Sequence, residues 1–201
     1  MLALLTPLGR RLVFVGDYVN RGPDAAGVLR VLEELTTAGE HDVVLLAGNH
    51  ERALLNYLEG GDIVTFARHG GLATIRSYVG VAKGDVGQQF RDAFPAGHKR
   101  LITERLATYY EDEGTLVTHT GFDPDQPNVW TPETVTESSY PELFVKPTPA
   151  GPRPMVVCGH YVQRNGIPYR SDSLICLDTG CGTLSGPLTA LLLPELEFVT
   201  V

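Results

Sequence analysis

The chain has little of what marks a secreted, membrane-spanning or nucleic-acid-gripping protein. It holds three cysteines, Cys158, Cys176 and Cys181, an odd number without CxxC spacing. That excludes a disulfide framework and a cysteine-built zinc site, and fits a reduced, cytoplasmic protein. No basic cluster is longer than Arg10–Arg11 or Lys99–Arg100. Lys plus Arg number 16 against 24 Asp plus Glu, a formal charge of −8, with a pI near 5.2. Such a balance excludes binding of nucleic acid through phosphate neutralisation. Apolar runs such as Leu188–Leu193 fall far short of the ~20 residues that cross a bilayer. No basic segment precedes the apolar residues 2–8 and no small-residue cleavage site follows, which speaks against a secretory signal.

What is present suits an ordinary globular protein: 201 residues, 43% hydrophobic and 20% charged. A chain of this size buries roughly 70% of its unfolded surface, and residues 1–201 are read as one domain. Glycine (22) and proline (14) are in excess. The glycines close apolar runs, as GD, GN, HTG, CGH and DTG, and suggest tight polar loops at strand ends.

Along the chain, residues 2–9 read as the end of a helix stopped by Gly9. Arg11–Val15 and Asp42–Ala47 read as buried strands. Between them a helix opens at Pro23–Asp24 and carries Val28, Leu29, Leu32 and Leu35 at helical spacing. Helical periodicity returns at Glu51–Glu59 and over most of 62–110, where 85–94 and 98–110 are the clearer pieces. Thr115–Thr118 and Met155–Cys158 are further strands. Residues 122–154, with eight prolines, read as a long loop or cap. Ile167–Arg170, Leu174–Leu177, Pro187–Leu193 and Glu197–Val201 read as an antiparallel meander.

Four apolar runs pass directly into polar clusters. RLVFV leads to Gly16-Asp17-Tyr18-Val19-Asn20-Arg21-Gly22, DVVLLA to Gly48-Asn49-His50-Glu51, TLVT to His119-Thr120-Gly121, and MVVC to Gly159-His160. Ligand sites in sheets with crossover helices form beyond the carboxyl ends of strands, so four such ends can bring Asp17, Asn49, His50, His119 and His160 to one locus. One carboxylate, one amide oxygen and imidazoles make a mixed N/O set for a borderline divalent metal such as Mn, Fe or Zn. Arg21, in a glycine-flanked loop, offers a planar fork for two phosphate oxygens. His41, His69 and His98 stand outside these clusters and read as surface or structural histidines.

These blocks resemble the phosphoprotein phosphatase family of calcineurin-like metallophosphoesterases, whose GDxxDRG, GNHE, HAG and GH motifs correspond to residues 16–22, 48–51, 119–121 and 159–160. The small bacterial members are the most similar, and among them are protein phosphatases and diadenosine tetraphosphate hydrolases. The resemblance implies a four-layer α/β/β/α sandwich and a phosphoester hydrolase acting on a phosphorylated protein or a small phosphoester. By resemblance, Asp17 bridges two metals, Asn49, His119 and His160 complete the second metal site, Arg21 binds the phosphoryl group, and His50 is the general acid opposite a metal-held hydroxide.

Two departures accompany the match. The family opens with a strand ending in GDxHG, whose Asp and His complete the first metal site. This sequence begins with what resembles the end of the following helix. The first strand is therefore expected to be missing, the second metal site is the one retained, and a second copy of the chain is a candidate to cover the bared strand edge. Asn20 also stands where the family has an Asp that hydrogen-bonds the catalytic histidine. A phosphatase-like chain that binds without turnover is thus a reading beside the active hydrolase, and a diadenosine polyphosphate hydrolase is a third.

Overall fold

A computed structural model describes residues 1–81, 83–145, 151–183 and 185–201. Its helices are α1 (Leu2–Leu5), α2 (Ala25–Thr37), α3 (Asn49–Leu58), α4 (Ile63–Arg68), α5 (Gly71–Val79), α6 (Val86–Ala93) and α7 (Ala96–Arg100). Its strands are β1 (Leu12–Phe14), β2 (Val43–Leu46), β3 (Leu106–Ala107), β4 (Tyr110–Glu111), β5 (Thr115–Val117), β6 (Met155–Cys158), β7 (Tyr169–Arg170), β8 (Leu174–Cys176), β9 (Thr189–Leu192) and β10 (Glu197–Thr200). Among the described residues, no helix is long and apolar enough to cross a membrane.

The strands make two main sheets and a hairpin. The first sheet is parallel, in the order β1-β2-β3, with Val13 opposite Val44 and Leu46 opposite Ala107. The second runs β4-β5-β6-β8-β7. Its centre, β5-β6-β8, is parallel and its two edges are antiparallel. Among the described residues, β9 and β10 pair only with each other.

Side-chain alternation along each strand produces three apolar layers. Phe14, Val43, Leu45 and Leu106 face the helices and join Leu29, Leu32, Leu54, Phe66 and Phe90. Val13, Val44, Leu46, Val117 and Val157 meet between the two sheets. Leu116, Val156, Cys158, Leu174 and Cys176 face outward, under Phe122, Tyr140 and Leu143. The result is a helix/sheet/sheet/cap sandwich. The fourth layer consists of the 122–145 segment, which carries one π-type turn at Glu133–Glu137 and one 3-10 turn at Pro141–Phe144.

Local chemistry explains the helix starts. Asp24 caps α2 by accepting the Gly27 N–H at 2.8 Å, and Asp62 caps α4 by accepting that of Thr65 at 2.8 Å. Two expectations are corrected, and a third, the loop or cap at 122–154, stands as a cap. The helix read as 98–110 ends in a π-type turn at Leu101–Arg105, after which Leu106–Ala107 becomes a strand because Leu45 and Leu46 offer it a parallel ladder. The proline-rich 122–154 segment is not loop throughout, and its residues 146–150 lie outside the described residues. The C-terminal meander is two separate hairpins, because β8 inserts parallel to β6 and does not pair with β9.

Candidate metal centre

Both sheets aim the carboxyl ends of their strands at one place. β1 and β2 of the first sheet deliver residues 16–21 and 48–51, and β5 and β6 of the second deliver His119 and His160. Backbone at this junction departs from the ordinary regions. Asp17 (φ 62°), Asn20 (φ 70°), Arg21 (φ 59°) and His160 (φ 65°) all adopt left-handed conformations. Non-glycine residues do this rarely, and such strain collects at functional sites. The approach of the loops is close. A Cβ on Gly48 would collide with Asp17 Oδ1, and one on Gly16, itself at φ 94°, would lie 2.7 Å from Gly48 N and 2.9 Å from His119 Nδ1.

Four side chains converge there. His119 Nε2 lies 3.4 Å from Asp17 Oδ1 and 3.1 Å from Asn49 Oδ1. His160 Nδ1 lies 3.1 Å from Asn49 Oδ1 and 3.2 Å from His119 Nε2. His119 Nδ1 is 2.7 Å from the Val15 carbonyl, so it carries the ring proton and donates it there. The Nε2 of that ring is then a bare lone pair, facing oxygens of Asp17 and Asn49. Asp17, His119 and His160 form the group of acids and imidazoles among the described residues whose ligand atoms lie within 4.8 Å of one another. Converging lone pairs of N and O type fit a divalent cation, and the His119–Val15 bond is the usual outer support of a metal-ligating imidazole.

His50 and Arg21 lie beside these four residues. His50 is 3% exposed, and its Nε2 lies 3.9 Å from Asp17 Oδ2. Its Nδ1 lies 2.8 Å from Asn20 Nδ2. Arg21 donates its backbone N–H to Gly70 O at 3.2 Å. Its guanidinium is exposed and has no side-chain partner among the described residues.

The electrostatics suit a cation. Burial pushes the Asp17 carboxyl up to about 7, against the His50 N–H and the Arg21 charge, which favour its ionised form. Burial, and then the Arg21 charge, bring His50 down to about 3. Burial and the neighbouring His119 bring His160 down to about 4, and burial lowers His119 as well. The imidazoles are held neutral, the form that ligates, and a cation beside Asp17 would offset the burial that opposes its charge.

The structure therefore brings Asp17, Asn49, His119 and His160 together, with His50, Arg21 and Asn20 around them. Asp178 accepts the Gly180 N–H at 3.0 Å in a local turn. His98 is buried and bonds Tyr78 Oη at 2.6 Å, far from these residues in the helical layer. His69 is different: its ring meets that of His50 edge-on at 6.0 Å, so it belongs to the rim of the site and is no remote surface histidine. The sequence reading also missed Thr74 and Glu51. Thr74 bonds Asn20 twice, and no local signal marks it. Glu51 had a signal in its place directly after Asn49-His50.

A family model described as calcineurin-like phosphoesterase matches residues 2–178. The chain is similar to the bis(5'-nucleosyl)-tetraphosphatase PrpE [asymmetrical] of Halalkalibacterium halodurans, at 27% identity over 97% of this chain and 80% of that protein. The protein of the same description from Bacillus mycoides is 28% identical over 96% of this chain and 79% of its own length. Among solved structures, a metallophosphoesterase from Sphaerobacter thermophilus superposes with a TM-score of 0.55, at 16% identity, over 98% of this chain and 80% of that one. A cold-active protein-tyrosine phosphatase of a psychrophilic Shewanella gives 0.56, at 17% identity, over 96% and 69%. At these identities the two structures speak to the fold alone.

Proposed function

The chain belongs to the calcineurin-like phosphoesterase family, and from that premise we propose that residues 1–201 act as one domain that hydrolyses phosphoesters with the help of a divalent ion. The observation that carries this reading is the convergence of Asp17, Asn49, His119 and His160, whose nitrogen and oxygen atoms approach one another to 3.1–3.4 Å. Those four residues would hold the ion, and manganese, iron or zinc suits the mixed donor set. When bound, such an ion supplies Lewis acidity toward a phosphoryl oxygen and lowers the pKa of a water.

The remaining roles fall to the chain's own groups. Arg21 places its guanidinium at the rim, where its fork takes two phosphoryl oxygens and fixes the phosphorus. His50 lies buried with its Nε2 toward Asp17, positioned to give a hydrogen bond or a proton to the departing oxygen. Asn20 orients His50 through Nδ1.

For the substrate, the activity for which the relatives at 27–28% identity are named favours a dinucleoside tetraphosphate over phosphoserine or phosphothreonine in a protein. A second reading, a chain that binds metal and phosphate without turnover, is favoured by Asn20, which cannot carry the negative charge that stabilises a protonated His50. The test is hydrolysis of p-nitrophenyl phosphate, bis(5'-adenosyl) tetraphosphate and a phosphoserine peptide with Mn²⁺, beside calorimetric titration of the metal. Turnover of any of the three supports the hydrolase, and the preferred substrate decides its class. Metal binding without turnover of all three leaves the binding protein.

A further inference from the structure

Glu51 is 1% exposed, and its carboxylate is spent entirely on backbone. Oε2 accepts the N–H of Asp17 at 2.8 Å and of Gly48 at 2.9 Å. Oε1 accepts the N–H of Tyr18 at 2.7 Å and of Val19 at 3.1 Å. The Gly48 bond is an ordinary helix cap, since Glu51 stands in the first turn of α3. The other three bonds cross to a different segment, the turn that follows β1. There, in a turn entered through left-handed Gly16 and Asp17, the successive N–H groups of Asp17, Tyr18 and Val19 point to one carboxylate, which is the form of a backbone anion nest. In most such nests the anion is a ligand; here it is a side chain of the neighbouring loop.

The consequence reaches the candidate ligands. Asp17 has φ 62°, a conformation an aspartate leaves unless held, and its own N–H is one of the four donors. Gly48 precedes Asn49, so the same carboxylate ties together the two loops that present Asp17 Oδ1 and Asn49 Oδ1. Burying a carboxylate is costly, and burial together with the Asp17 charge pushes Glu51 up to about 7 against its four donors. A neutral cap would close α3 without that cost.

Resting on the metal-dependent reading above, we propose that Glu51 is a positioning residue: its carboxylate fills an internal backbone nest and locks the Asp17 and Asn49 loops into the geometry that receives the divalent ion. The side chain touches neither ion nor substrate. Its effect on both passes through the backbone of residues 17–19 and 48.

The test uses the full chain, metal-free, and its Glu51→Gln variant, in which an amide NH₂ replaces one oxygen and faces backbone donors. Two readouts are taken: hydrogen exchange of the Asp17, Tyr18, Val19 and Gly48 amides, and calorimetric titration with Mn²⁺ alone. Expected are faster exchange confined to these amides and Mn²⁺ affinity about 10- to 100-fold weaker, the usual scale for outer support of a metal site. Glu51→Ala supplies a second arm, in which formate enters the vacated space and restores Mn²⁺ affinity to the variant while leaving the parent unchanged. Unaltered exchange at the four amides, with Mn²⁺ affinity within twofold of the parent, overturns the proposal, as does a lack of formate rescue if Glu51→Gln does not fold. A parent chain that binds no Mn²⁺ overturns the hydrolase reading instead, and the exchange of the four amides then decides the role of Glu51 alone.

Discussion

The side-chain nitrogen of Asn20 lies 2.8 Å from Nδ1 of His50, and this contact settles where the His50 proton sits. An amide NH₂ only donates, so Nδ1 accepts and the neutral ring carries its proton on Nε2, toward Asp17. Protonating Nδ1 would set two donors against each other. Asn20 thus opposes the imidazolium that a strong general acid needs, and adds to the burial that already depresses His50.

Replacing Asn20 with Asp reverses that opposition. The new carboxylate accepts from Nδ1–H, keeps the bond from Thr74 Oγ1 and stabilises the charged ring. Acid catalysis by a placed histidine is worth ~10²–10⁴-fold, so Asn20→Asp is expected to raise kcat at least about tenfold at little change in KM, measured on p-nitrophenyl phosphate with Mn²⁺. A kcat equal to or below that of the parent would remove Asn20 as the limit on His50.

Thr74 fixes the amide that fixes the histidine. It is fully buried, its Oγ1 accepts the Asn20 N–H at 2.8 Å, and the hydroxyl donates to Asn20 Oδ1 at 2.8 Å. Thr74→Val keeps the shape and removes both bonds. The expectation is a loss of about 1–3 kcal/mol in unfolding free energy and mixed His50 tautomers by ¹⁵N chemical shift. Thr74→Ser retains both properties. A Val variant with the parent's tautomer would show that Asn20 is held by other means.

How much of this was readable before folding depends on sequence distance. The strand-end clusters were legible because an apolar run, a glycine and a polar ligand are adjacent along the chain, as in Leu45-Leu46-Ala47-Gly48-Asn49. The supports were not, because their partners are remote: Glu51 bonds a turn 34 residues before it, and Thr74 an amide 54 residues before it. The strand at Leu106–Ala107 was hidden for a related reason. Leu101, Ile102 and Leu106 repeat at helical spacing, and only the exposed ladder of β2 converts the last of them to strand. β8 could have been placed, since all three of its residues are buried, the mark of an interior parallel strand.

The proposed metal ligands make a prediction about stability that does not depend on turnover. An ion that binds only the folded chain, present at 100 times its Kd, stabilises by about 2.7 kcal/mol, or roughly 5–10 °C in Tm for a domain of this size. Mn²⁺ should therefore raise the Tm of the parent by that amount and EDTA should reverse it. His119→Ala and Asn49→Ala should lose the shift. A variant that keeps the full Mn²⁺ shift is not lacking a ligand.

Arg21 is expected to act through geometry as well as charge. Among the described residues its guanidinium makes no hydrogen bond or ion pair, and a collision of any Cβ at Gly70 with Arg21 Cγ, at 2.7 Å, shows that its stem is packed in place. Arg21→Ala should lower kcat/KM about 10²-fold or more, the scale for removing one oriented donor from a transition state. Arg21→Lys should recover only part of this, because an ammonium cannot reproduce the fork. Full activity in the Lys variant would reduce the role of Arg21 to simple charge.

The helical layer has a pH response of its own. His98 is 6% exposed, and burial lowers its pKa, with Arg30 acting in the same direction and Glu33, 3.8 Å away, acting against both. Tyr78 Oη shares its Nδ1 at 2.6 Å. A histidine depressed in the fold is neutral there and charged in the unfolded chain once pH drops below about 6.5. Its contribution to stability is whole above that value and is lost as pH falls below it, since the unfolded state then binds the extra proton. Between pH 8 and pH 5 the Tm of the parent should thus fall more steeply than that of His98→Gln, which keeps a polar group without titrating. Each unit of depression is worth about 1.4 kcal/mol, so even a modest shift is visible in the difference between the curves. Parallel curves would show that the proton on His98 is not what couples this layer to acid.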